Sequence, residues 1–376
     1  MSRRRKKQKL GVIGTAVLYI NLMVVGLLLC SYLTPWVDPK KLWPVALLGI
    51  AYVPLLAING VFVMGWLLTR PVYALISLAA ILLGWNALSA HIGFAGYASQ
   101  VPQTAQARDS SDLRVMTYNV HLFRGRDQAK NVPDIQDEAI SLIEEVAPDI
   151  VCIQEFYTRK KGHHDISRSF RHRLGLNHQL IHAVAKNNFE SYGMAIFSKY
   201  PIVSSGRVAD FEQGVNSIVY ADINKNGRLI RVYNVHLRSF GFQKEDYDFI
   251  NNPTNALGAN ASSTKRIGSR MKNAFSIRSQ QARSLRLHSE QAEIPVLVAG
   301  DFNDTPLSFA VNHVGRGLQN AFKEKGRGLG VTYNGDFPNF QIDYILASAD
   351  FEVRNYEIVK RKLSDHYPVW SDITFK

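Results

Sequence analysis

Asn119 and His121, Glu155, Asn234 and His236, Asp301 and Asn303, Asp343, and finally Asp365 and His366 each follow a strongly apolar run. Any one of them alone is ordinary, because Asn and Asp at the end of a strand commonly turn or cap the chain. As a set they carry chemistry. Glu155, Asp301 and Asp365 are hard oxygen ligands of the kind Mg²⁺ or Mn²⁺ takes, and Asn119 can add a neutral oxygen. No Cys or His cluster of zinc spacing accompanies them. Histidine side chains can exchange protons at physiological pH, so His236 and His366 are candidates to move protons to or from water and a leaving oxygen. Asp343 can orient His366 by accepting a hydrogen bond from its imidazole, which fixes the tautomer and raises the basicity. Metal, carboxylates, neutral donors and paired histidines together fit displacement at phosphorus by an activated water.

Such a set works only if the fold brings its strand ends to one edge, the place where open sheets build their sites. The sequence pattern is consistent with this. LRVMTYN (113–119) reads as a strand, and Ile135, Ala139, Leu142, Ile143 and Val146 then share one helical face. Pro148 stops that helix, and DIVCIQ forms the next strand, ending at Glu155. Further strands are predicted at YGMAIFS, NSIVYADI, LIRVYNVHL, PVLVAG and QIDYILAS, with a helix around 275–289. This alternation predicts an α/β sandwich of two packed sheets flanked by helices. Cys30 and Cys152 have no evident partners, and no disulfide is expected.

The first hundred residues read differently. No residue from Leu10 to Val37, or from Leu42 to Thr69, is charged, and His91 is the one group from Pro71 to Gln106 that titrates near neutrality. Each run exceeds the roughly 20 residues that cross a bilayer as a helix. A membrane domain over 1–95 is expected, with three transmembrane helices near 11–33, 45–69 and 72–95. A signal peptide fits poorly, since its apolar core would be too long and no small-residue cleavage site follows. Arg3, Arg4, Arg5, Lys6, Lys7 and Lys9 place the N-terminus in the cytoplasm, Arg70 agrees, and Lys40 and Lys41 argue weakly the other way. Three crossings then put the C-terminal part outside the cytoplasm, periplasmic in a Gram-negative cell. Residues 96–112 are small and polar and read as a linker. Of the net charge of +13, the first hundred residues hold +8, from nine Lys or Arg against Asp38. The remaining +5 is only mildly basic, so charge alone does not point to nucleic acid.

The ordered set TYNVH, IQEFY, SYGMAIFSKYPI, YNVHLRS, AGDFND, QIDYILAS and LSDHYPV resembles the endonuclease/exonuclease/phosphatase superfamily over nearly all of 113–376. The resemblance implies a deoxyribonuclease I-like, four-layer sandwich of two mixed sheets flanked by helices. It implies that Asn119 and Glu155 lie at the metal, with Glu155 the principal ligand, and that Asp365 is a second metal-side carboxylate. Asp301 and Asn303 would hold the attacking water and phosphate oxygens. His366, backed by Asp343, would act as general base or transition-state stabiliser, and His236 would donate to a nonbridging oxygen or the leaving group. Glu190 would brace His236. His121 and Arg238 are candidates to touch substrate. AP endonucleases carry a tyrosine where this chain has His236, and NVH replaces their NG-containing first motif. The chain therefore resembles the deoxyribonuclease and sphingomyelinase branches more closely.

The expected activity is metal-dependent hydrolysis of a phosphodiester or phosphomonoester, with Mg²⁺ or Mn²⁺ as cofactor. Candidate substrates are a lipid head group, a small phosphoester or a nucleic acid; the alternatives are a membrane-tethered nuclease and an inactive binding module. The lipid bilayer is the expected partner of the N-terminal helices, and no obligate protein partner is inferred. The polar segment from Phe240 to Phe275 carries Lys265, Arg266, Arg270 and Lys272, with Arg278 and Arg283 beyond. It reads either as a solvated surface insertion or as a lid that recognises an anion.

Overall fold

The computed structural model describes residues 10–95, 111–124, 132–162, 164–208, 216–251, 261–335 and 339–376. The linker expected over 96–112 falls almost entirely outside them. Apolar residues on all sides build α1 (Val12–Ser31) and α4 (Tyr52–Thr69), the two helices among the described residues that are long and apolar enough to cross a membrane. Between them lie the short α2 (Pro39–Leu42) and α3 (Pro44–Ile50). The third expected helix is not continuous. It divides into α5 (Pro71–Leu83) and α6 (Trp85–His91), bent by 69° at Gly84. The Tyr32 ring lies so close to Gly84 that an added Cβ would meet its Cζ at 2.1 Å, so only glycine fits the bend. Asn21 joins the three longer helices: it donates to Ser77 Oγ at 2.7 Å and accepts from Trp66 Nε1 at 2.9 Å. Buried polar pairs of this kind hold apolar helices together where hydrophobic contrast with lipid is lacking.

The C-terminal part is a mixed α/β sandwich. Its first sheet orders β13 (Phe351–Val353), β15 (Val369–Phe375), β2 (Leu113–Asn119), β3 (Ile150–Arg159), β5 (Glu190–Ser198) and β4 (His178–Lys186), with β14 (Glu357–Ile358) on β15. The second orders β10 (Gln319–Asn320), β12 (Asp343–Ala347), β9 (Val296–Asp301), β8 (Arg228–His236), β7 (Ile218–Lys225) and β6 (Ile202–Arg207). The period of two along a strand sorts the core. In β2, Leu113 and Val115 face the second sheet, packing with Val219, Val232 and Ala299, while Met116 and Tyr118 face the outer helices. Those helices are α7 (Val132–Val146), whose Ala139, Leu142, Ile143 and Val146 are buried as the periodicity predicts, and α8 (Ile166–Leu174). On the opposite face, Ala282 and Leu285 of a long helix cover Tyr233, Val235 and Val298.

That long helix departs from the expectation. The Phe240–Phe275 segment is not one irregular insertion: it contains α9 (Lys244–Asn251), and helix α10 runs over Ala261–Glu290. The first half of α10 lacks an apolar period, so its helicity was not legible in the pattern. It is held instead by the buried Asp246 of α9, which pairs with Arg266 at 2.7 Å and Arg270 at 3.3 Å.

Asn234, grouped with the polar set by sequence, ties the two sheets together. Its amide donates to the carbonyls of Ile153 and Ala195 at 2.9 and 2.8 Å, and Gln154 donates to its Oδ1 at 2.6 Å. This fixes the end of β8 against β3, one residue before Glu155 in one strand and two before His236 in the other.

Candidate active site

Strand register alone brings three of the expected residues side by side. Parallel pairing of β8 with β9 sets His236 against Asp301, and antiparallel pairing of β9 with β12 sets Asp301 against Asp343. The β8–β9 approach is tight at this point: a Cβ on Gly300, whose φ is +151°, would meet the Val235 carbonyl oxygen at 2.1 Å. From the other sheet, Asn119 ends β2 and its amide donates to Asp301 Oδ2 at 3.1 Å. Glu155 sits at an irregularity in β3 between Ile153 and Phe156, with φ +49°. Of the non-glycine residues with positive φ, Glu155, Asn303, His121, Leu122 and Phe123 all belong to the loops around this edge. Strained backbone of that kind persists where the surroundings over-determine it, as they do at functional sites.

Asp301 is the centre of the arrangement. It is 1% exposed, and Oδ2 also accepts from the Asn303 side chain at 3.1 Å while Oδ1 accepts from the Asn303 backbone N–H at 2.8 Å. His236 Nε2 stands 3.6 Å and His366 Nε2 3.7 Å from Oδ2. Burial pushes its carboxyl up to about 6, with the His366 charge pulling the other way and Asp343 adding to the rise. Asp343 receives His366 Nδ1 at 3.0 Å, the orientation expected from the sequence. Burial opposes charging of His366, yet Asp343, Asp301 and Asp365 hold its imidazole protonated well above the usual range.

Asp365 faces His121 Nδ1 at 3.3 Å and accepts from Ser364 Oγ at 3.1 Å. Burial raises its carboxyl, but the His121 contact and His366 outweigh that and take it well below the ordinary range. Ser364 also donates to the Asn119 carbonyl at 2.8 Å, tying the SDH turn to β2. His121, only a candidate by sequence, is thus at the site. Glu155 is 25% exposed, has His236 Nε2 at 3.9 Å, and accepts no hydrogen bond among the described residues.

Glu190 is a correction. It accepts from Tyr157 Oη at 2.5 Å and stands 3.7 Å from Arg159, while His236 Nδ1 is buried without a hydrogen-bond partner. Glu190 opens β5, far along the strand from the edge where the site forms, so nearness to the SYGMAIFS motif in sequence gave the wrong neighbour. Arg238 uses its backbone N–H to bond Gln281 Oε1 at 2.9 Å. The roles of two further residues, Arg278 and Asp304, were not read from the sequence. Arg278 is fully buried beneath the site, lies over the rings of Phe240 and Phe275, donates to the Asn303 carbonyl and pairs with Asp304 at 3.2 Å. It sits among several surface arginines of α10, and its burial had no sequence signal; Asp304, in GDFND, had one.

Ligand atoms of Asp301, Asp343 and His366 lie within 4.8 Å of one another, close enough to share an ion. His366 Nδ1 is at the same time engaged with Asp343 at 3.0 Å, so the three groups also stand close enough to pass a proton among them. The Glu155 carboxylate accepts no hydrogen bond among the described residues, which leaves its oxygens free for a hard divalent cation.

Residues 116–366 match the model of the Endonuclease/Exonuclease/phosphatase family. The chain belongs to that family. Family members are phosphoester-hydrolysing enzymes, and the family generally uses divalent metals. Residues 14–91 match a second family, described as a domain of unknown function. Curated proteins give no match. Among solved structures, the chain is similar to an endonuclease/exonuclease/phosphatase from Beutenbergia cavernae at 21% identity, covering 70% of this chain and 72% of that one, TM-score 0.49. It is similar to an endonuclease/exonuclease/phosphatase from Bacteroides vulgatus at 20% identity, covering 71% and 100%, TM-score 0.47. It is also similar to D. rerio TDP2 complexed with a single-strand DNA product, at 16% identity, covering 71% and 100%, TM-score 0.49.

Replacing Asp343 by Asn removes the charge that orients His366 while preserving shape. Turnover of the family's hydrolytic reaction is expected to fall by about 10² or more, with the melting profile little changed. Wild-type turnover in that variant would show that the Asp343–His366 pair has no part in the chemistry.

Proposed function

We propose that this protein is a divalent-metal-dependent phosphoesterase anchored in a membrane, with its catalytic domain outside the cytoplasm. The observation that carries the chemical reading is the Asp301 carboxylate, buried at the meeting of two amides and two imidazoles. Mg²⁺ or Mn²⁺ held by Asn119, Glu155 and Asp365 would neutralise charge on the phosphoryl oxygens. Asp301 and Asn303 position the attacking water, and Asp301 accepts its proton as the new oxygen–phosphorus bond forms. His366, its Nδ1 tied to Asp343, turns Nε2 toward a phosphoryl oxygen. His236 donates to a nonbridging oxygen or to the leaving oxygen as the ester bond breaks. Glu190 takes no part in this scheme.

The contacts between the two halves support this topology. Asp38 pairs with Arg283 at 2.7 Å and accepts from Ser279 Oγ at 2.6 Å, and Thr305 Oγ1 donates to the Gly49 carbonyl at 3.4 Å. The strand β1 (Ile92–Phe94) pairs antiparallel with β11 (Arg327–Leu329). All of these contacts gather at the 32–51 and 84–95 ends of the helices, opposite the Arg70 turn. With Arg70 and the basic N-terminus cytoplasmic, the catalytic domain sits outside. The bent α5–α6 pair serves as the third crossing in this reading.

The same contacts favour a small or membrane-borne phosphoester over a nucleic acid strand. Arg266 and Arg270 are engaged with Asp246, Arg283 with Asp38 and Arg278 with Asp304, so these cations of the α9–α10 segment already have acidic partners.

Two measurements test the reading. The full chain in detergent should hydrolyse an activated phosphodiester with Mg²⁺ or Mn²⁺ and lose nearly all activity in excess chelator, returning when metal is restored; full activity in chelator would exclude a metal requirement. A reporter fused after Lys376 should give its signal outside the cytoplasm, and a cytoplasmic signal would reverse the proposed topology.

A further inference from the structure

A cavity of about 500 Å³ lies between the helices and the back of the catalytic domain. Its helix-side wall includes Tyr32, Leu83 and Ala87, and its catalytic-side wall includes Leu307, Arg316 and Lys323. That size lies within the range of small-molecule sites. The helix-side wall is thus mainly apolar, with Asn86 its amide, while the other brings two cations. The Arg316 guanidinium lies 5.1 Å over the Trp36 ring and has no acidic partner among the described residues. Lys323 donates to the neutral Asn86 Oδ1 at 2.6 Å, and Glu324 is the acidic group on the lining.

The surroundings mark the depth at which this cavity would sit. Trp36, Leu83, Trp85, Phe94 and Leu329 are exposed, and Trp85 stacks on Phe94 at 5.1 Å. Phe94 and Leu329 belong to the β1–β11 pair, so the apolar ring continues from the helix ends onto the catalytic domain. Aromatic residues collected in this way occupy the interface between hydrocarbon and headgroups.

We propose that this cavity is a binding site for an anionic phospholipid of the surrounding bilayer, its phosphate between Arg316 and Lys323 and the start of its acyl chain along Tyr32, Leu83 and Ala87. This rests on the reading of the N-terminal helices as membrane-spanning, but not on the proposed hydrolysis, because none of the residues assigned to that chemistry lines the cavity. The wall residue Leu307 follows Asp301 and Asn303 in the same loop and packs with Leu28, Tyr52 and Ala87. A bound lipid therefore borders the segment that positions the reacting carboxylate.

The test uses the full chain, equilibrated with phosphatidylcholine bilayers with or without phosphatidylglycerol, and native mass spectrometry of the lipid it retains. Phosphatidylglycerol should be retained about tenfold over phosphatidylcholine. Arg316→Glu should abolish that preference and Lys323→Gln should reduce it, whereas Arg327→Glu, on the exposed β11, should leave it intact. Equal retention of the two lipids, or an unchanged preference in Arg316→Glu, overturns the proposal. So does displacement of the lipid by millimolar inorganic phosphate, which would make this a site for a free anion. If Arg316→Glu fails to fold, the graded loss in Lys323→Gln against the intact Arg327→Glu decides the matter.

Discussion

A carboxylate buried beside a second carboxylate is costly unless donors and cations surround it. Asp301 is in that position, facing Asp343 across a strand pair, and much of the site is arranged around it. Asn119 reaches it from the opposite sheet, Asn303 folds back on it from its own loop, and His236 and His366 approach from two sides. The two sheets must therefore meet at one edge and in one register. Asn234 and Gln154 hold that register through buried hydrogen bonds between β8 and the β3–β5 pair. The same edge collects the positive-φ residues Glu155 and Asn303.

The loop that begins at Asp301 also connects the chemistry to the helices. Arg278 clamps its Asn303 and Asp304 from below, and Thr305 and Leu307 then run into the N-terminal helices. Thr305 comes four positions after Asp301, a reach of about 13 Å for fully extended chain. The reacting groups accordingly lie close to where the helices end. The C-terminal sandwich is docked on the N-terminal helices by an ion pair, a short strand pair and an apolar contact.

Much of this was legible in the sequence because strands advertise their period and sites gather at strand ends. The pattern LRVMTYN followed by Ile135, Ala139, Leu142, Ile143 and Val146 specified a strand and its covering helix, and both were found. Asp301, Asp343, His236 and His366 were readable because each closes or follows a run that must be buried. What depended on approach in space was not legible. Glu190 bonds Tyr157 in place of His236, because sequence distance from a motif says little about which edge of a strand a residue occupies. Gly84 bends the third apolar run through its contact with Tyr32, a residue in another helix. Asn234 looked like a site residue and proved to be a tie between sheets. Arg278 looked like one of several solvated cations, and its burial follows from packing against Phe240 and Phe275.

The chemistry proposed for this site divides it between oxygen ligands, Asn119, Glu155 and Asp365, and the proton-moving groups Asp301, Asp343 and His366. Crystals of the full chain soaked in Mn²⁺ and measured for anomalous scattering separate the two. A peak bounded by Glu155 and Asp365, with the His366–Asp343 hydrogen bond intact, is expected. A peak between Asp301, Asp343 and His366, with that hydrogen bond broken, would place the metal among the proton-moving groups and overturn the division.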